Sequence, residues 1–290
     1  EEIDDAEFWR EFHRVVKAAN PEAYIVGEIW HEAHRWLQGD RFDAVMNYIF
    51  SRACLGFFGR ERLDTSLRPG GFTLQRLSAT RFADEVDRML SLYDWQVTLV
   101  QLNLLDSHDM PRFLTLVQGD KDALKLATLF QMTFPGAPCV YYGDELGVEG
   151  GHDPDCRRAF PWDDARWDRD LLDWFRRAIR LRHEHPALRR GRYVRLHADD
   201  QCGVYAFARR YEGGAAPDIL EGEGETLAVV LNNGSEGYEL DVPAQGLFPD
   251  GASLRDLWGG GQAQVTAGHL TDLTLPPRSG AVLVAEGDRG

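Results

Sequence analysis

A chain of 290 residues, 43 % of them hydrophobic and 27 % charged, has the composition of a soluble globular protein with room for a large core or for two ordinary domains. Its formal net charge of −15 argues against nucleic acid and anionic membranes as partners, since both attract surplus lysine and arginine, and it leaves a neutral substrate open. Cys54, Cys139, Cys156 and Cys202 form no CxxC pair and no zinc-type spacing with histidine, so plain thiols in a reducing, cytoplasmic compartment are expected.

The acidic opening EEIDDAEFWREF lacks the form of a signal peptide. In it, Asp4 or Asp5 followed by Glu7 marks a helix start, and Ile3, Phe8, Trp9, Phe12, Val15, Val16 and Ala19 recur at helical spacing until NPEA stops the pattern. YIVGEI then predicts a buried strand, DAVMNYIF a second and TLVQLNLLDSHD a third, with a long amphipathic segment from Thr73 to Tyr93 between the last two. A helix over 122–132, a fourth strand, PCVYYGDE, and a helix over 168–183 follow. The longest uncharged run, Leu126 to Gly143, is broken by FPGAP, so it reads as a helix end and a strand start rather than a membrane span.

Helix and buried strand thus alternate four times, which predicts right-handed βαβ units in a parallel sheet. Each strand ends in polar groups, at Gly27-Glu28, Asn47, His108-Asp109 and Asp144-Glu145. That is the end at which an α/β barrel holds its active site. From about Arg192 the texture changes to short alternating runs such as GVYAFARRY, TLAVVLNN and GAVLVA, the pattern of an antiparallel β-sandwich. EGEGE at 221–225 reads as a solvated loop and VVLNN as a turn signal. Asn47 and Tyr48 read as barrel wall, and Tyr141, Tyr142 and Asp144 as the scaffold of a turn. His13, His31, His34, His183, His185, His197 and His269 show no ligand spacing and are expected on surfaces or helices.

Two carboxylates facing one cavity, Glu28 and Asp109, are the minimum equipment for glycoside hydrolysis, in which one protonates the leaving oxygen and the other stabilises or attacks the oxocarbenium-like centre. By position alone they could equally cap helices. His108 could donate hydrogen bonds to sugar hydroxyls.

VGEIWH, NLLDSHDMPRF and FPGAPCVYYGDELGVEGGHDPDCRRAFPW resemble three successive blocks of the α-amylase superfamily, nearest to its neopullulanase, cyclomaltodextrinase and maltogenic amylase group. The likeness spans nearly the whole chain. It implies an α/β fold, the C-terminal half of a TIM (β/α)8 barrel (strands five to eight, residues 1–191) followed by an antiparallel β-sandwich (residues 192–290). It further implies that Glu28 is the general acid/base, Asp109 the transition-state stabiliser and His108 a substrate-binding histidine. Trp30 would face the leaving-group side as a flat surface for a sugar ring, and Asp153 and Arg157 would hold glucose units on the non-reducing side. For Trp30 a core aromatic under a loop is the alternative, and for Asp153 and Arg157 a surface salt bridge shaping the loop.

The family's nucleophile, an aspartate in a block just upstream of the segment that EEIDDAEFW resembles, has no counterpart here. Since retaining hydrolysis needs two carboxyl groups roughly 5 Å apart, the chain is expected to be the C-terminal part of a longer α-glucan hydrolase and inactive alone. A transglycosylase or α-glucosidase of the same superfamily, or a non-catalytic glucan-binding protein, are the other readings. No cofactor or metal is expected in these residues, with a calcium site possible only in the N-terminal half. The expected partners are an α-glucan or maltooligosaccharide and either the N-terminal half of the same enzyme or a second copy of this chain, with no nucleic acid and no membrane.

Overall fold

The computed structural model describes residues 3–216, 219–222 and 224–286, and for 215–216 and 219–222 the backbone only. Helix α1 (Ala6–Ala19) opens where the Asp5 carboxylate accepts the backbone N–H groups of Glu7 and Phe8, both at 3.0 Å, and it ends at Asn20, ahead of Pro21. Its apolar stripe is only partly used. Trp9 and Val16 pack on Ile25, Ile29, Trp36 and Phe42, whereas Phe8, Phe12 and Val15 remain 47, 40 and 51 % exposed.

After α1 come β1 (Val26–Gly27), β2 (Ala44–Asn47), α2 (Tyr48–Phe58), α3 (Ala79–Ser91), α4 (Trp95–Thr98), β3 (Leu102–Leu104), α5 (Phe113–Leu116), α6 (Lys121–Thr133), β4 (Ala137–Cys139), α7 (Arg169–Glu184) and α8 (Pro186–Arg190). The four strands are parallel in the order β1-β2-β3-β4, with Val26 opposite Ala44, Met46 opposite Leu102, and Leu102 opposite Ala137. Parallel strands alternating with helices in this way are the repeating unit of an α/β barrel, and among the described residues β1 and β4 are each paired on one side only. Aromatic side chains from α2, α3 and α6, among them Phe50, Phe57, Phe58, Phe82 and Phe130, fill the layer behind the sheet.

The strands are shorter than the sequence predicts. Tyr48-Ile49-Phe50, expected to continue β2, begins α2 instead, because Asn47 caps that helix by accepting the Phe50 N–H at 3.2 Å. A run buried on all sides carries no period that separates strand from helix. Thr98 likewise lies in α4, and Asp144–Leu146 forms a 3₁₀ turn where the fourth strand was expected to continue.

The C-terminal part comprises β5 (Arg192–Asp199), β6 (Val204–Tyr211), β7 (Gly214–Ala216), β8 (Ile219–Gly222), β9 (Glu225–Asn232), β10 (Tyr238–Glu239), β11 (Val242–Pro243), β12 (Ser253–Asp256), β13 (Gln262–Thr266), β14 (His269–Thr271), β15 (Thr274–Leu275) and β16 (Ser279–Ala285). Eight of these form an antiparallel sheet in the order β11-β14-β13-β12-β16-β9-β6-β5. Its end strands, β11 and β5, pack on each other, so the sheet curls around Val204, Val230, Leu254, Val265, Leu270 and Leu283. The opposite faces of β6, β9 and β16 present Tyr205, Phe207, Val229, Leu231 and Val282 to the core that α2, α3 and α6 share. These three strands are therefore buried on both faces, which is why TLAVVLN reads as a continuous apolar run.

Three sequence expectations need correcting at this junction. VVLNN is more than a turn: Asn232 Nδ2 donates to Glu236 O and Pro276 O, both at 2.9 Å, and Asn233 Nδ2 donates to Phe57 O at 2.6 Å. His185 is buried rather than on a surface, with Nδ1 2.6 Å from Glu225 Oε1. Of the EGEGE segment, Glu221 and Gly222 belong to β8, residue 223 lies outside the described residues, and Glu225 opens β9, also accepting the Ala187 N–H at 3.1 Å. All four cysteines are free thiols. Among the described residues no helix is long and apolar enough to cross a membrane.

Candidate active site

Glu28 follows β1 directly. Gly27 precedes it because a Cβ there would stand 2.6 Å from the Phe42 ring, so only glycine lets the strand end close against that ring. Asp109 arrives from the loop after β3, and a buried polar cluster fixes that loop from beneath. Arg112 donates to Cys156 O at 2.8 Å, to Tyr142 O at 2.7 Å and to Asp144 Oδ1 at 3.1 Å, and its guanidinium lies 3.9 Å from the Tyr141 ring centroid. Asp106 accepts the Phe113 N–H at 2.5 Å. Burial pushes the Asp106 carboxyl up to about 6 and holds that of Asp144 well above its ordinary value, with the neighbouring Arg112 charge opposing both shifts. The expected scaffold role of Tyr141, Tyr142 and Asp144 is thus met through one arginine.

Above this floor, ligand-type atoms of Glu28, His108 and Asp109 lie within 4.8 Å of one another. His108 Nε2 is 3.1 Å from Asp109 Oδ2, and Arg157 Nη2 donates to Asp109 Oδ1 at 2.7 Å. Arg157 Nε reaches both His108 O, at 2.9 Å, and Asp153 Oδ1, at 2.8 Å. The Asp153–Arg157 salt bridge of the alternative reading therefore exists, and the same arginine also clasps the Asp109 loop. Two carboxylates and an imidazole could ligate a divalent ion by donor type, but here the guanidinium already supplies positive charge to Asp109.

Glu28 is half-buried. Burial raises its carboxyl above the ordinary carboxylate range, a hydrogen bond to Asp109 and the charge of Asp109 raise it further, and the Tyr48 hydroxyl and His108 pull it partly back. The site thus holds one carboxyl that favours its proton beside a second that is paired with a cation, the division of labour that acid–base cleavage requires.

The sequence of residues 2–166 matches the family model described as alpha amylase, catalytic domain. The chain belongs to the alpha-amylase family. Residues 193–283 match a second model, the neopullulanase-like C-terminal domain. Among relatives of this alpha-amylase family chain, a cyclomaltodextrinase from a Bacillus species is 45 % identical over 234 residues, covering 81 % of this chain and 38 % of the relative. Neopullulanase 2 of Thermoactinomyces vulgaris is 41 % identical over 282 residues, covering 97 % and 43 %. The solved structure of Ttha1563 from Thermus thermophilus superposes with a TM-score of 0.89 at 43 % identity, covering 98 % of this chain and 57 % of that one. The chain spans about two fifths of the length of these two curated relatives.

Within this family framework Glu28, His108, Asp109, Asp153 and Arg157 are joined by direct contacts at one end of the sheet. Trp30 is adjacent to this cluster. One face of its ring is covered by Tyr48, parallel within 4° at a centroid distance of 3.6 Å, so that face offers no surface to a sugar. Trp30 also walls an open groove of ≈ 970 Å³ together with Ile49, Phe72, Arg88 and Asp109. Tyr48, read from sequence as barrel wall, is a residue of the site: its hydroxyl donates to Glu28 Oε1 at 3.2 Å and meets Ser107 Oγ at 3.0 Å. Its place at the end of β2, level with the other polar strand ends, was the available signal.

Proposed function

We propose that this chain carries the acid and the transition-state stabiliser of a retaining α-glucan hydrolase of the cyclomaltodextrinase and neopullulanase kind. The observation that carries the reading is the Glu28 carboxyl, raised by burial and by Asp109 and held within 4.8 Å of Asp109 and His108. In this reading Glu28 gives its proton to the glycosidic oxygen as the C1–O bond breaks, and the positive charge developing on the sugar faces Asp109. Glu28, now a carboxylate, then takes a proton from the incoming water. His108 donates to a sugar hydroxyl, Asp153 and Arg157 hold glucose units on the non-reducing side, and Trp30 lines the leaving-group side.

Among the described residues no further carboxylate joins the Glu28–His108–Asp109 cluster. We assign the nucleophile to polypeptide that completes the barrel along the free edges of β1 and β4, either another segment of the same enzyme or a second copy. In this scheme residues 1–191 form the half-barrel and 192–290 the sandwich, and the four free thiols support a reducing, cytoplasmic setting. The test is Glu28→Gln in the complete barrel, assayed on maltooligosaccharides, cyclodextrin, pullulan and starch. Turnover should fall by roughly 10²–10⁴-fold with sugar binding retained. Near-normal turnover on a substrate with a poor leaving group would place the acid elsewhere.

A further inference from the structure

Tyr48 is 1 % exposed and makes two distinct contacts with the site. Its ring lies flat on Trp30, and its hydroxyl lies between Glu28 Oε1 and Ser107 Oγ. Its position is fixed locally, since it is the first residue of α2 and Asn47 caps that helix. The proton directions in this network follow from the donors available. The Asp109 backbone N–H can only donate, and it donates to Ser107 Oγ at 3.2 Å. A phenol has one proton, so when Tyr48 donates to Glu28, the Ser107 hydroxyl must donate to the Tyr48 oxygen. The chain therefore runs one way, from Asp109 N–H through Ser107 and Tyr48 to Glu28 Oε1. At its end Oε1 is an acceptor, and a proton carried by Glu28 belongs on its other oxygen.

We propose that Tyr48 is a positioning residue for proton transfer: its hydroxyl holds Glu28 Oε1 as an acceptor so that the transferable proton sits on Oε2, while its ring sets the plane of Trp30. The inference rests on Glu28 being the acid. It makes one side chain couple the proton donor to the wall of the leaving-group groove. Among the described residues, groups that act on Glu28 are Asp109, His108 and Tyr48, with Arg157 behind Asp109, and of these the Tyr48 bond and His108 favour the ionised carboxylate.

The experiment uses the complete barrel with Tyr48→Phe, Tyr48→Ala and Glu28→Gln. Each is assayed on a maltooligosaccharide and on a maltosyl fluoride, whose leaving group needs no proton. Tyr48→Phe keeps the stack and removes the hydrogen bond. Its kcat/KM on the maltooligosaccharide should fall about ten- to hundredfold, the fluoride should react at close to the parent rate, and the basic limb of the pH profile should move to higher pH. Tyr48→Ala should in addition change the near-ultraviolet circular dichroism of Trp30. A Tyr48→Phe variant with an unmoved pH limb, or with equal losses on both substrates, overturns the proposal by reducing Tyr48 to packing. Should Glu28→Gln keep full activity on the maltooligosaccharide, the acid assignment itself falls. Should Glu28→Gln lose its kcat/KM on the maltooligosaccharide but keep it on the fluoride, whose first step needs no acid, while Tyr48→Phe matches the parent, only the role of Tyr48 is lost.

Discussion

Replacing Arg112 by methionine tests whether the buried cluster under the site holds it in place. The side chain is fully buried and donates to two backbone carbonyls and one carboxylate. Hydrogen bonds from a charged donor are worth about 1.5–3 kcal/mol each, so three of them amount to roughly 5–9 kcal/mol gross. Methionine refills much of the volume, and Asp144 can become neutral by binding a proton, so the net loss should be near the 3–5 kcal/mol typical of breaking a buried pair. The pH dependence has a definite sign. Asp106 and Asp144 have raised folded-state values, so the folded protein binds more protons than the unfolded one between about 4 and their folded values, and stability falls as pH rises through that window. Without the Arg112 charge both carboxyls rise further, and the window should extend upward from about 6. Urea unfolding followed at pH 5 and pH 8 measures both effects. A loss below about 1 kcal/mol, or a variant whose stability does not fall more steeply with pH than the parent's, would refute the argument.

Asn233→Ala removes the 2.6 Å bond to Phe57 O and leaves a buried carbonyl at the end of α2 without that donor, so a loss of about 1–3 kcal/mol is expected in denaturant unfolding, and an unchanged midpoint would contradict it. Gly70→Ala places a Cβ 2.2 Å from the Trp30 ring on a backbone with φ +53°, so it should displace that ring, perturb the Trp30–Tyr48 stack seen in near-ultraviolet circular dichroism, and cost at least the roughly 1–2 kcal/mol of a left-handed residue. A spectrum and stability matching the parent would show that the 67–72 loop gives way instead.

The alternation of helix and strand, the change of texture near Arg192 and the polar strand ends were legible because each is a local pattern. Glu28 and Asp109 could be brought together from sequence because parallel strands put their carboxyl ends on one side, whatever their exact lengths. What local pattern could not carry was partner choice. His185 and Glu225 meet across 40 residues, and Asn233 and Phe57 across 176. Tyr48 was missed for a different reason. Residues 46–50 are mostly buried and carry no period that separates strand from helix, so the polar Asn47 was read as a strand end and not as the cap of a helix, and it is that switch which turns the phenol toward Glu28.

Strand β9 is hydrogen-bonded to β6 on one side and β16 on the other, with both faces covered, whereas β1 is two residues long and paired along one edge. Amide protons of β9 can therefore reach solvent deuterium only when the whole molecule opens, while those around β1 exchange through small local openings. The slowest-exchanging part of the protein is then a sheet that bears none of the catalytic groups. In this chain Glu28 sits on a segment free to breathe against that sheet, and polypeptide pairing along the open edge of β1 would slow exchange around the acid while leaving β9 as it is.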